Sequence, residues 1–179
     1  MSTAYNPQIY LCILCIFKLT AEGFAMVDVV SAPKRSLMMS GIKGKDTRSE
    51  LLIRSGLHKL GFRYQLHRKD LPGKPDLVFP KHCAVIFVNG CFWHAHHCHL
   101  FKWPSSRTEF WREKIGGNVS RDEKNISASI KNGWKVLVIW ECALKGKTKR
   151  NINEVIHTAA NWLLYDSQSA EIEGYSSIE

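Results

Sequence analysis

Residues 91–98 (CFWHAHHC) pack two cysteines and three histidines into eight positions, and His99 follows. Core packing does not account for that density, because an imidazole is costly to bury without partners. Zinc takes four tetrahedral thiolate or imidazole ligands. Cys91, Cys98 and one histidine supply three. The fourth has to come from elsewhere, and Cys142 stands just after the apolar run 135–140 (KVLVIW). A Cys3His site would staple the loop to the far side of a sheet, so its binding energy would be folding energy. Four protein ligands leave no open position, which makes such a zinc structural. The competing reading is a cluster of free reduced thiols; disulfides are not expected in a cytosolic protein.

The rest of the chain supplies the sheet. Residues 47–60 read as an amphipathic helix, with Thr47 and Glu50 spaced as a capping box and Leu52, Ile53, Leu57 and Leu60 at helical intervals. A short strand is expected at 62–66. Pro72, Gly73 and Pro75 force an extended turn, a strand begins near Asp76, and Pro80 ends it. Residues 84–88 (AVIFV) form a continuous apolar run, as in a strand buried on both faces. A short helix is expected at 108–115, interrupted by Gly116-Gly117, then a second helix to Asn132 with Gly133 at its end. A third strand follows at 135–140 and a last helix at 152–165, with a loose polar tail after Asp166. The pattern is an α/β domain around a small mixed sheet flanked by helices. No internal repeat is evident.

Charge points to the partner. The chain of 179 residues carries a formal +9, unevenly spread. Residues 34–69 hold ten Lys/Arg against Asp46 and Glu50, and residues 99–150 hold twelve against five acids. Residues 151–179 hold five acids and no Lys or Arg. A basic body with an acidic tail suits a polyanion, most simply nucleic acid.

The first 25 residues differ from the rest. Residues 10–17 (YLCILCIF) are apolar but too short to span a membrane, and no positive charge precedes them as in a secretory signal. Cys12 and Cys15 lie inside that run and read as buried or incidental. Residues 1–25 are expected to be an upstream extension, with Met26 as the natural start and the domain covering 26–165.

Chemistry concentrates around residue 76. A Pro-Asp after a tight turn, leading into a buried strand, is the layout of many metal-dependent nucleases, where the carboxylate holds Mg²⁺ through hard oxygen ligands. The usual Glu-x-Lys of the next strand is missing; Ile86-Phe-Val88-Asn89-Gly90 stands there. His94 is then the candidate general base, since an imidazole titrates near neutrality. Glu50 could hold a metal-bound water, orient that base or simply cap its helix. Phe92, Trp93, Trp103 and Trp111 flank the loop and could wedge between base pairs; core packing is the alternative. Trp134 and Trp140, which border an apolar strand, are the better core candidates.

Three segments carry a resemblance. Residues 90–98 (GCFWHAHHC), residues 101–122 with Trp111, Asn118 and Asp122, and residues 133–144 (GWKVLVIWECAL) resemble the very-short-patch repair (Vsr) DNA mismatch endonucleases. The resemblance runs from about residue 28 to 147. It implies a restriction-endonuclease-like fold. It also implies an enzyme that nicks DNA 5′ of the T in a T:G mismatch left by deamination of 5-methylcytosine. By position it implies Asp76 as the Mg²⁺ aspartate, His94 as the catalytic histidine, Glu50 as the active-site glutamate and Asp122 as a nearby acid. It implies Cys91, His96, Cys98 and Cys142 as the zinc ligands, and Phe92, Trp93 and Trp111 as intercalating aromatics. Met39 falls in an N-terminal arm that inserts into DNA.

Two positions depart from the pattern. Val88 and Asn89 stand where better-known members have Thr-His. The first contributes mainly its backbone carbonyl to Mg²⁺, so Val88 can serve; Asn89 removes a phosphate-binding or proton-handling group. The implied partner is mismatched double-stranded DNA, with a functional link to a cytosine-5 methyltransferase and to mismatch-repair proteins. A bacterial, nucleoid-associated, cytoplasmic monomer is expected. The competing functions are a zinc-stapled mismatch binder that does not cut, and a restriction-type enzyme that cuts both strands.

Overall fold

The computed structural model describes residues 31–41 and 44–176. Expectations for Cys12, Cys15 and Met26 lie outside the described residues. Helix α1 (Ala32–Ser40), which carries Met39, precedes α2 (Arg48–Lys59). Thr47 caps α2 as the spacing predicts: its side chain accepts from the Glu50 N–H while the Glu50 carboxylate reaches back to the Thr47 N–H.

Strand β1 (Leu77–Phe79) leads through a 3-10 turn (Pro80–His82) into β2 (Ala84–Asn89), which pairs with it antiparallel. The 24-residue helix α3 (Thr108–Lys131) crosses over to β3 (Lys135–Trp140), parallel to β2. A single turn, α4 (Glu141–Leu144), and helix α5 (Ile152–Tyr165) follow. Strand β4 (Ala170–Ile172) then adds parallel to β3. The sheet is mixed, in the order β1-β2-β3-β4.

Alternation along the strands builds two apolar layers. Leu77, Phe79, Ala84, Ile86, Leu137 and Ile139 pack with Ile53 and Leu57 of α2 and with Val155, Ala159 and Leu163 of α5. On the other face, Val78, Val85, Val136 and Val138 pack with Ile126 of α3, Trp134 and Trp140. Fully burying each such side chain stabilises the fold by about 1.5–3 kcal/mol. This is why residues 84–88 read as continuously apolar: both faces of β2 are covered.

Three expectations change. Gly116 and Gly117 do not break α3, which runs through both. Neither needs a positive φ, and a glycine inside a helix costs only about 1 kcal/mol against alanine. The strand expected at 62–66 reduces to one bridge, Gln65 to Val78. Residues 167–176 are not a loose tail: β4 inserts Ile172, which is 5% exposed, into the core. Its polar neighbours hid that single apolar anchor.

Candidate functional site

The turn before β1 aims Asp76. Gly73 and Lys74 both have positive φ (72° and 51°), and the Lys74 N–H closes the turn on the Leu71 carbonyl. Asp76 then lies beside β2, where its Oδ2 accepts the Val88 N–H at 2.8 Å. Burial pushes its carboxyl up to about 6 from an ordinary 3.8, and the negative charge of Glu50 adds to the push. The Val88 hydrogen bond and the charge of Arg54 act in the opposite direction, as does His67 when protonated. A buried carboxylate held at this tension is a natural ligand for a cation.

Glu50, 4% exposed, has a full set of donors. It accepts from the Asp46 N–H at 3.0 Å, from the Thr47 hydroxyl at 2.9 Å and from Arg54 Nη2 at 2.8 Å. The helix-cap reading therefore holds, and the carboxylate also faces the same cleft as Asp76, while the acid that pairs with His94 is Asp122. Arg54 also pairs with Asp46 and lies 3.0 Å from His67 Nε2. A guanidinium only donates, so Nε2 of His67 accepts and its proton sits on Nδ1, 3.9 Å from Asp76 Oδ1. Asp46, Glu50 and His67 approach closely enough to suggest a cation site, but the Arg54 guanidinium is already their cation. Neither Arg54 nor His67 was singled out from the sequence. The one signal was Arg54 four residues after Glu50 on α2, an ordinary surface spacing.

His94 pairs through Nδ1 with Asp122, brought from the middle of α3. Ala95, at φ 49°, turns the chain so that His94 meets Asp122 while His96 meets Cys142. Asp76, Glu50, His94 and Asp122 line one cleft of about 1320 Å³, together with Val88, Asn89, Phe92 and Trp93. Lys45, Arg48, Lys69 and Lys74 add positive charge to its walls.

The aromatics form a wall beside it. Phe92 meets Trp93 edge-on at 5.2 Å and Trp111 at 5.4 Å, and Trp93 lies 6.0 Å from Trp111. All three are half-buried, against one another more than against the core. Asn118 Nδ2 donates to the Trp93 carbonyl and fixes the loop to α3. Trp103, by contrast, is 51% exposed.

Cys91, His96, Cys98 and Cys142 converge, their donor atoms all within 4.8 Å of one another. His96 Nδ1 lies 3.6 Å from Cys142 Sγ. Tetrahedral zinc with ordinary Zn–S and Zn–N bonds spaces a sulfur and a nitrogen by about 3.6 Å. Burial pushes the thiols of Cys91 and Cys142 up, and neighbouring thiols add to it. Three sulfurs and an imidazole nitrogen so placed are a donor set that fits zinc. The hydroxyl- and carboxylate-lined cleft is chemically distinct from this sulfur-rich cluster. Among the described residues, no helix is long and apolar enough to cross a membrane.

Known proteins are similar to this chain in sequence. The sequence profile of the family described as "DNA mismatch endonuclease Vsr" matches residues 27–100. The chain is 43% identical over 148 residues to the DNA mismatch endonuclease Vsr of Escherichia coli (strain K12), covering 83% of this chain and 95% of that protein. It is 46% identical over 119 residues to the type II nicking enzyme V.XorIIP of Xanthomonas oryzae pv. oryzae, covering 66% of this chain and 88% of that one. It is 43% identical over 133 residues to the type II nicking enzyme V.NmeAIP of Neisseria meningitidis serogroup A, covering 73% and 95%. A mixed sheet with a cysteine–histidine cluster at one end and relatives that span nearly their whole length lead to one conclusion: the chain belongs to the Vsr DNA mismatch endonuclease family and is a DNA nicking endonuclease.

Proposed function

We propose that the chain nicks one strand of double-stranded DNA 5′ of the T in a T:G mismatch, the lesion left when 5-methylcytosine is deaminated. The observation that carries this reading is the shared cleft of Asp76, Glu50, His94 and Asp122, walled by Phe92 and Trp93. Asp76 and the Val88 carbonyl would hold Mg²⁺, and Cys91, His96, Cys98 and Cys142 would hold structural zinc. When bound, Mg²⁺ supplies charge neutralisation at the scissile phosphate.

The chain's own groups divide the remaining work. Asp122 orients the His94 ring through Nδ1, so that Nε2 is free to take a proton from the attacking water. Glu50 and Arg54 hold the wall beside Asp76 rigid through their shared hydrogen bonds. Lys69 and Lys74 face backbone phosphates along the cleft. Phe92, Trp93 and Trp111 enter the stack beside the mismatch, and Met39 belongs to an N-terminal arm that inserts into the DNA. Asn89 on the cleft wall replaces a histidine and slows the reaction or alters its site preference.

The test is a panel of matched and T:G duplexes with varied flanks, incubated with Mg²⁺ and resolved by strand. Nicking of the T strand is expected, with intact duplex left uncut. Cutting of both strands of matched DNA favours the restriction-type alternative. No activity above an Asp76→Ala control defeats the catalytic assignment.

A further inference from the structure

The last strand does more than complete the sheet. Glu173 and Gly174 follow β4 directly, and each touches a different member of the cysteine–histidine cluster. Glu173 Oε2 lies 3.1 Å from His96 Nε2. The Gly174 N–H donates to Cys142 Sγ at 3.3 Å. We propose that the C-terminal segment Ala170–Tyr175 is a clamp on the zinc site, with Glu173 as the residue that positions His96. This rests on the reading of Cys91, His96, Cys98 and Cys142 as zinc ligands.

The tautomer makes the case. His96 presents Nδ1 to Cys142 and Nε2 to Glu173. A neutral imidazole carries one proton. A carboxylate at Nε2 fixes the proton there and leaves the Nδ1 lone pair facing the cluster, which is where a metal would be met. Without Glu173, the proton is as much at home on Nδ1, where it blocks coordination. The ring has one further support, the Trp140 indole stacked on it at 4.1 Å. That contact sets the plane of the ring and leaves its tautomer open. At the neighbouring ligand, the Gly174 N–H meets the Cys142 sulfur and fixes its position.

The clamp is itself built to hold still. Ala170, Glu171 and Ile172 pair with Leu137, Val138 and Ile139 of β3. Arg150 Nε donates to the Glu173 carbonyl at 2.5 Å, and the Tyr175 N–H donates to the Thr148 carbonyl at 2.8 Å. The Tyr175 hydroxyl donates to Glu154. Gly174 passes so close that a Cβ there would meet the Cys142 carbonyl at 2.7 Å and Thr148 Oγ1 at 2.5 Å. The segment that composition marks as an acidic tail thus ends on the metal cluster with its one functional acid.

The experiment follows zinc itself. Zinc content of the purified full chain is measured first; a protein that neither contains nor takes up zinc overturns the ligand assignment. With zinc present, its release to a colorimetric chelator is timed for the wild type, Glu173→Ala, Glu173→Gln and a remote control, Asp70→Ala. Outer-sphere partners of metal-bound histidines are worth about 10- to 100-fold in metal affinity. Glu173→Ala should release zinc about 10- to 100-fold faster. Glu173→Gln, which keeps an acceptor oxygen, should recover part of the loss, and Asp70→Ala should behave as wild type. In the cobalt-substituted protein the ligand-field band should move in Glu173→Ala and not in Asp70→Ala. Glu173 is more than half exposed, so these variants leave the core intact. Release at the wild-type rate with an unmoved cobalt band overturns the clamp while leaving the zinc site standing.

Discussion

Replacing Asp76 by Asn should make the protein more stable and inactive at once. The Asp76 carboxyl stands at about 6 in the folded protein against an ordinary 3.8. Its ionised form is therefore disfavoured by folding, by about 3 kcal/mol once pH exceeds 6. The sign follows from the raised value: the folded state holds the proton more tightly, so stability is full below about pH 4 and is lost as pH rises through about 6. Asparagine can accept the Val88 N–H as Asp76 does, but its amide group needs partners of its own, which takes back about 1 kcal/mol. A net gain of about 2 kcal/mol at pH 8 remains, or about 4–8 °C in melting temperature for a domain of about 150 residues. The assay is urea or thermal unfolding of wild type and Asp76→Asn from pH 4 to 8 in buffer without added magnesium, zinc left in place. The gain should vanish near pH 4, grow through pH 6 and level off. Adding Mg²⁺ should stabilise the wild type alone, because only the form with a binding site gains from the ligand. A variant no more stable than wild type at pH 8, or a gain independent of pH, refutes the account of Asp76 as a carboxyl whose ionised form is disfavoured by burial.

Other outcomes follow from the same cleft. His94→Ala should lower the nicking rate by about 10²- to 10⁴-fold with duplex affinity unchanged, as measured by single-turnover cleavage beside a binding titration. Trp93→Ala should weaken binding of mismatched duplex by about 1–3 kcal/mol, about 5- to 150-fold in Kd, from the loss of stacking; fluorescence anisotropy reads it. With a net charge of +9 and a footprint of about six phosphates, affinity should fall by about 10³ between 50 and 200 mM salt. Cys142→Ser should lose zinc and unfold at lower denaturant, followed by circular dichroism, since its sulfur joins the loop to the end of β3.

Short-range chemistry was readable in the sequence. The Thr47–Glu50 capping box, the apolar runs of β2 and β3, and the Cys91/Cys98 spacing each depend on residue type and spacing, and each appears in the structure; Cys142 was found from its place just after β3. Choosing His96 over its neighbours needed the family resemblance, because three histidines in four positions are equivalent until Ala95 turns the backbone. The pairing of His94 with Asp122 spans 28 residues, and no local pattern encodes it. His67 and Arg54 were missed because a histidine in a loop and a basic residue on a helix are unremarkable until the fold sets them against Asp76 and Glu50. The fate of the C-terminal segment was also hidden: three strand residues with one buried isoleucine give no periodicity to detect.

Helix α3 carries Trp111 in its first turn and Asp122 eleven positions on, without interruption. At 1.5 Å per residue the two stand about 16 Å apart along its axis. On the proposed function, the helix is a ruler between the aromatic assigned to the base stack and the acid that pairs with His94. A ruler of this kind changes length only in jumps: one added residue also swings everything beyond it by about 100°. Relatives that cut at a different offset from the lesion would have to alter the loops at its ends, because the rod itself admits no small adjustment.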